Sequence, residues 1–363
     1  MSVIHVGALG KITSIDGSVV ETPGPEKILK IGVIGYGYWG PQLVRNFQDL
    51  PLTTVSVVAD LDPRRLDRVS RTFPSVSVTR DFRDLFDSEI DAVVIATSPS
   101  THYPLGAECL AHGKHVLIEK PLARSRAEAE GLIELAEARG LTLMVGHTFE
   151  YNPAVETLKQ LIASQAIGRV YYTNAVRTNL GIFQKDVNVL WDLAPHDISI
   201  LMYILDLDPI DVSACGQAYV QRGIHDVARL VVNFENQVQS HILVSWLDPC
   251  KVRRITVVGD KKMVVYDDVE ALEKIKVYDT GVDTPEHVDS YGEFQLSYRY
   301  GDITIPRVPA QEPLKVECSH FADCILGGHR PRSDGTVGLK VVKVLEAAEK
   351  SLRNGGGREP VAW

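Results

Sequence analysis

No apolar run in this 363-residue chain approaches the roughly 20 residues needed to cross a bilayer. The N-terminal stretch has neither a basic n-region nor an apolar h-region, so no leader peptide is expected. Cysteine is scarce: there are five (Cys109, Cys215, Cys250, Cys318, Cys324), and none forms a Cys-x-x-Cys pair. That odd, dispersed set speaks against a disulfide framework and suits a reducing, cytoplasmic compartment. Cys318, His320 and Cys324 lie near one another without matching a common zinc spacing, and no metal is expected. Positive charge is also short, with 38 Lys and Arg against 47 Asp and Glu and a net charge of −9. This argues against nucleic acid as the main partner, while leaving room for an anionic small molecule in a local basic pocket. Internal repeats and low-complexity tracts are absent. With 45% hydrophobic and 23% charged residues, the composition is that of an ordinary globular protein, and the length predicts two domains.

The most informative stretch is "KILKIGVIGYGYWGPQLVRNF" (27–47). A short apolar run (Ile31, Val33, Ile34) leads into Gly35-x-Gly37-x-x-Gly40, and a helix-compatible segment follows. Gly35 permits a tight turn, Gly37 lets backbone approach a pyrophosphate, and Gly40 allows close helix–strand packing. The helix N-terminus, with Pro41 in its first turn, would present free N–H groups to phosphates. A glycine turn without a ligand is the competing reading. The next strand, Thr54–Ala59, ends at Asp60, which can accept from ribose hydroxyls and repel a 2′-phosphate; this favours NAD. Arg64 and Arg65 keep NADP open. The alternative role for Asp60 is a helix cap before Pro63.

Residues 1–27 read as an appended arm, in which a short hairpin is conceivable. From 28 to about 150, strand candidates (Lys30–Ile34, Thr54–Ala59, Val76–Val78, Asp91–Ala96, His115–Ile118, Leu141–Val145) alternate with helical ones (Pro63–Thr72, Tyr103–His112, Ser125–Arg139). That is the signature of an α/β, doubly wound parallel Rossmann sheet. From 151 to 363 the pattern becomes α+β. Helices are predicted at Pro153–Ser164 and Asp192–Leu205, followed by consecutive strand-like runs that predict a large mixed or antiparallel sheet. Two terminal helices, near Val316–Ile325 and Gly335–Leu352, complete the chain. The cleft between the halves is the expected site. An uncovered face of the second sheet predicts a homodimer or homotetramer.

Two groups carry chemistry. "HVLIEKPLA" sets Glu119, Lys120 and Pro121 just past a strand's C-terminal end, where ligands bind in such sheets. A lysine there can stabilise a developing alkoxide; alternatively it faces solvent and pairs with Glu119. In "VLWDLAPHDISILMYIL", Asp192 and His196 lie one helical turn apart and share a face, with Asp192 placed to cap the helix. A cleft imidazole is a suitable base for a hydroxyl proton; alternatively His196 is a hydrogen-bonded interdomain residue. Asp197 could orient the ring or pack elsewhere. Arg177, Asn179 and Lys185 precede this motif and could meet a diphosphate or carboxylate, or lie on a solvated strand edge and loop.

Together these features resemble the Gfo/Idh/MocA family of NAD(P)-dependent sugar and polyol oxidoreductases, over residues 28–355. The resemblance rests on the glycine turn with Asp60, on "ATSPSTHYPLGAECLAHGKHVLIEKPLA" (96–123), and on Asp192-x-x-x-His196. It implies cofactor contacts from Gly35, Gly37, Tyr38, Trp39, Gly40, Asp60, Thr97, His102, Glu119 and Lys120. It implies catalysis by Lys120, Asp192 and His196, with His196 as base, and a substrate site lined by these three, to which Arg177, Asn179 and Lys185 are candidate additions. Many members carry a glycine-rich stretch where this chain has Asn188-Val189-Leu190-Trp191. "WDLAPHDI" and "VGHTFEYNP" (145–153) are similar to the branch that oxidises nucleotide-activated amino sugars, UDP-N-acetylglucosamine or its uronate, at C3. The alternatives are a free-sugar or inositol dehydrogenase and, in another class, a non-catalytic dinucleotide-binding regulator.

Overall fold

A computed structural model describes residues 11–13, 19–21, 27–86, 89–283 and 297–363. In the arm, β1 (Lys11–Thr13) pairs antiparallel with β2 (Val19–Glu21), which is the short hairpin; the rest of the arm up to Glu26 lies outside the described residues.

The first large sheet is built from six parallel strands: β3 (Leu29–Ile34), β4 (Thr53–Ala59), β5 (Ser77–Thr79), β6 (Ala92–Ile95), β7 (His115–Glu119) and β8 (Leu143–Gly146). Their order, β5-β4-β3-β6-β7-β8, reverses direction between β3 and β6. In a doubly wound sheet the crevice beyond the strand ends at that reversal is where ligands sit. β3 and β6 are buried nearly throughout, as strands covered on both faces must be. The covering helices are α1 (Gly40–Asp49), α2 (Pro63–Thr72), α3 (Pro99–Ala111) and α4 (Arg126–Ala138). α3 starts four residues before the predicted Tyr103 and runs through Pro104.

After α5 (Pro153–Ala163) comes β9 (Val170–Thr178), then α6 (Val189–Leu205). The strands β10 (Pro209–Gln217), β11 (Val227–Phe234), β12 (Gln239–Ser245), β13 (Val252–Gly259), β14 (Met263–Asp267), β15 (Ile275–Asp283) and β16 (Ser297–Thr304) follow. With β17 (Glu359–Pro360) they form a nine-stranded sheet ordered β16-β15-β14-β13-β9-β12-β11-β10-β17. It is mixed: β9 runs parallel to β12 and antiparallel to β13. β9 is thus a central strand, not the solvated edge that was one of the two readings of Arg177.

Helix α6 fills the space between this sheet and the nucleotide-binding half, and most of its residues are buried. Its cap is Asn188, whose side chain accepts from the Trp191 N–H at 3.2 Å. Asp192 therefore does not cap the helix as expected. It lies in the first turn, free to present its carboxylate sideways. Helices α7 (Pro313–Gly327) and α8 (Gly335–Arg353) close the fold. Leu314, Cys318, Phe321 and Ala322 of α7 join the core packed on β3 and α1, and Val342 of α8 joins the core on the sheet's other face. The nucleotide-binding half is accordingly not closed by residues 28–150 alone.

Candidate active site

Gly35 takes a φ of +97°, and a Cβ there would stand 2.6 Å from the Ala96 carbonyl oxygen. A Cβ on Gly40 would lie 2.3 Å from the Gly35 oxygen. Both positions need glycine. Gly37 differs: around its Cβ position the nearest atom is Arg65 Nη1, at 3.9 Å. The backbone is therefore open to a ligand there, and α1 begins at Gly40 with no side-chain cap occupying its first N–H groups. An uncapped helix start beside an open glycine fits a dinucleotide pyrophosphate. Tyr38 is exposed, with Trp39 edge-on to it.

Asp60, at the end of β4, is buried. Its carboxylate accepts from the N–H groups of Tyr36 (2.6 Å) and Asp62 (2.8 Å) and pairs with Arg65 (3.2 Å). It thus braces the glycine turn from below. The helix cap expected as its alternative role belongs to Asp62, which accepts from the Arg64 N–H. Thr97 lies against Gly35. His102 is fully buried, with Nδ1 at 2.8 Å from the Pro121 oxygen and Nε2 at 3.2 Å from the Thr97 oxygen. It ties the two loops at the crevice together.

Beyond β7, the Lys120–Pro121 peptide is cis. Lys120 Nζ donates to the Asp192 carbonyl at 2.7 Å and lies 3.3 Å from Asp192 Oδ1. The other carboxylate oxygen, Oδ2, accepts from Trp246 Nε1 at 2.9 Å. The lysine thus pairs across the halves with Asp192, not with Glu119. One turn further along α6, His196 packs edge-on against Phe149, ring centroids 5.1 Å apart. Burial, reinforced by the charges of Lys120, Arg177 and Arg253, holds His196 well below the ordinary imidazole range. It is therefore neutral, as a base must be. Buried Glu119 is pushed up to about 7.

The structure brings Lys120, Asp192 and His196 together and separates the remaining three candidates. Arg177 is sealed under the site: Nε and Nη2 make a two-pronged contact with Asp197 at 2.8 and 3.0 Å, and the guanidinium stacks on Phe149. It is spent on Asp197, so neither Arg177 with a diphosphate nor Asp197 with the His196 ring holds. Asn179 is half-buried on the loop that lies along Trp246. Lys185 is exposed and lines a 570 Å³ cavity at the start of α6 with Arg124, Asn188, Trp191 and Arg353. Sequence reasoning missed Trp246, Phe149 and His147. An aromatic N–H closing a strand in "HILVSWL" was the available signal for Trp246.

A parallel Rossmann sheet with an open glycine turn, facing a lysine, a carboxylate and a neutral histidine, defines a dinucleotide-dependent oxidoreductase. The pattern described as "Oxidoreductase family, NAD-binding Rossmann fold" matches residues 29–147, and that of the "GFO/IDH/MocA C-terminal domain" matches residues 155–265. The chain belongs to the Gfo/Idh/MocA family, its cofactor is NAD, and it is a dehydrogenase acting on CH–OH groups. It is 27% identical to UDP-N-acetylglucosamine 3-dehydrogenase of Acidithiobacillus ferrooxidans over 86% of this chain and 94% of that one. It is 24% identical to myo-inositol 2-dehydrogenase of Thermotoga maritima over 89% of this chain and 96% of that one. The solved structure of UDP-N-acetylglucosamine 3-dehydrogenase from A. ferrooxidans shares the fold, with a TM-score of 0.73 at 23% identity over 90% of this chain and 98% of that one. Among the described residues, no helix is long and apolar enough to cross a membrane.

Proposed function

We propose that this enzyme oxidises, reversibly, the C3 hydroxyl of a nucleotide-activated amino sugar to a ketone, using NAD in preference to NADP. The observation that carries the reading is Lys120 Nζ held 3.3 Å from the Asp192 carboxylate, with His196 one turn away, at the C-terminal edge of the Rossmann sheet. His196 takes the hydroxyl proton, Lys120 stabilises the oxygen that loses it, and Asp192, clamped between Lys120 and Trp246, orients the sugar. When bound, NAD accepts the hydride.

The similarity to a UDP-N-acetylglucosamine 3-dehydrogenase over most of both chains supports the choice of substrate. So does the cavity flanking the site. The segment carrying Lys120 continues into it at Arg124, and the turn carrying Asp192 continues into it at Asn188 and Trp191. Arg124 and Lys185 bring cations to a place where a diphosphate would bind. The test is an NAD-reduction assay across UDP-sugars, free sugars and inositols. A nucleotide-sugar is expected to be turned over far better than its free sugar, because diphosphate contacts supply binding energy that is used at the reacting carbon. Arg124→Gln with Lys185→Gln should raise KM for the nucleotide-sugar and leave any free-sugar activity unchanged. A preference for inositol, or no inhibition by UDP, would overturn this choice of substrate.

For the cofactor, Asp60→Ala is expected to lower kcat/KM for NAD more than for NADP, because it removes both the ribose acceptor and the repulsion of a 2′-phosphate. An unchanged NAD/NADP ratio would show that Asp60 only braces the turn. Residues 28–150 together with the returning α7 make up the nucleotide-binding half, α8 packs mainly in the core under the nine-stranded sheet, and that sheet serves substrate binding and self-association. Tyr172, exposed on β9 on the side opposite buried Thr173 and Ala175, marks the sheet face through which a homodimer or homotetramer would form.

A further inference from the structure

His147 has no place in the chemistry described so far, yet it lies inside the site. It is fully buried, and among the described residues neither Nδ1 nor Nε2 has a hydrogen-bond partner. Buried polar groups are almost always paired, so an imidazole with both nitrogens unspent calls for an explanation. Its location is fixed by the sheet. Gly146 is register-paired with Glu119 at the ends of β8 and β7, so His147 and Lys120 leave adjacent strand ends side by side. Two residues on, Phe149 touches the His196 ring.

His196 has the complementary deficit. Its Nδ1 is buried without a partner, whereas Nε2 is not sealed and is the nitrogen left to meet a ligand. A neutral imidazole carries one proton. For Nε2 to accept a proton from a substrate hydroxyl, Nδ1 must hold that one proton, and a buried N–H needs an acceptor. Phe149 on one side offers none. His147, held neutral at a value pushed down to about 3 by burial and by Lys120, keeps one ring nitrogen with a free lone pair.

We propose that His147 is a positioning residue that accepts the Nδ1–H of His196 through one bridging water, and so fixes the tautomer in which Nε2 is the base. The inference rests on the reading of His196 as base. The proton count is simple: Nδ1 keeps its hydrogen throughout, Nε2 gains the hydroxyl proton, and the resulting imidazolium remains linked to His147 through the bridging water. Which ring nitrogen is protonated is commonly set by the partner of the other, and a wrong tautomer is costly in catalysis.

The experiment reads the His196 tautomer by ¹⁵N NMR of histidine-labelled enzyme, assigned by loss of its signals in His196→Ala, so that it needs no substrate. Wild type should show Nδ1 protonated and Nε2 bare. His147→Leu should move the proton to Nε2, while His147→Gln, which restores an acceptor, should return it to Nδ1. With a substrate, His147→Leu should lower kcat tenfold or more with KM little changed, and His147→Gln should recover most of the loss. In the His196→Ala background, His147→Leu should cost less than twofold. The pH profile should shift only in the limb belonging to His196, whose charged neighbours are Lys120 past β7, Arg177 on β9 and Arg253 on β13. Protonation at Nε2 in the wild type would overturn the proposal. So would a His147→Leu variant that loses rate while the tautomer stays put, since that marks a structural role only. If no nucleotide-sugar is turned over, the substrate reading fails while the tautomer measurement still decides this one.

Discussion

Lys120→Ala and His196→Ala are each expected to lower kcat by about a hundredfold or more, the usual size of losing an oxyanion-stabilising or acid–base group. NAD affinity, measured by titration, should change much less, because the glycine turn and Asp60, the proposed anchors of the cofactor, are left intact. Circular dichroism would establish that both variants fold. The wild-type acid limb should lie below the ordinary imidazole value of 6.5, because burial and three neighbouring cations disfavour the charged ring. As pH falls through that depressed value the base is protonated and rate is lost; above it the ring stays neutral and rate holds. Near-normal turnover by either variant would remove that residue from the mechanism.

Arg177→Ala is expected to act on stability instead. Arg177 and Asp197 are both almost fully buried, with side chains 6% and 2% exposed, and each satisfies the other in a two-pronged contact. Removing one partner of such a pair typically costs about 3–5 kcal/mol, because the other charge stays buried and unpaired. Urea denaturation should show a lowered midpoint that, multiplied by the slope, corresponds to a loss of that size. Arg177→Ala with Asp197→Ala should be less destabilised than the sum of the single variants. If Arg177→Ala instead leaves the midpoint in place and raises only the nucleotide-sugar KM, the arginine meets substrate after all.

These two cases mark where the sequence was readable. Gly35, Gly37, Gly40 and Asp60 could be recognised because each position demands something local: a left-handed φ, an open backbone, a close approach, an acceptor at a strand end. Lys120 and the Asp192–His196 turn could be recognised because strand ends and helical spacing fix where such side chains lie. Arg177 was misread because a cation at the end of β9 looks solvent-facing until its partner is known, and Asp197 comes from a different element. The same blindness applied to Trp246, whose N–H acquires meaning only when β12 meets α6. His102 followed the family pattern in position, yet what it touches depends on two loops closing around it. Local demands are written in the chain; partnerships between distant segments emerge only on assembly.

The return of α7 to the nucleotide-binding half has a consequence for how the protein is made. Glu312, just before α7, bonds Arg45 and Asn46 on α1, and Phe321 meets Phe47 edge-on. The first half to leave the ribosome therefore emerges with part of its apolar surface bare, and stays so until α7 has been synthesised. A ribosome stalled before residue 313 should hold a nascent chain open to proteolysis and in need of a chaperone, even though every glycine of its cofactor turn is already present.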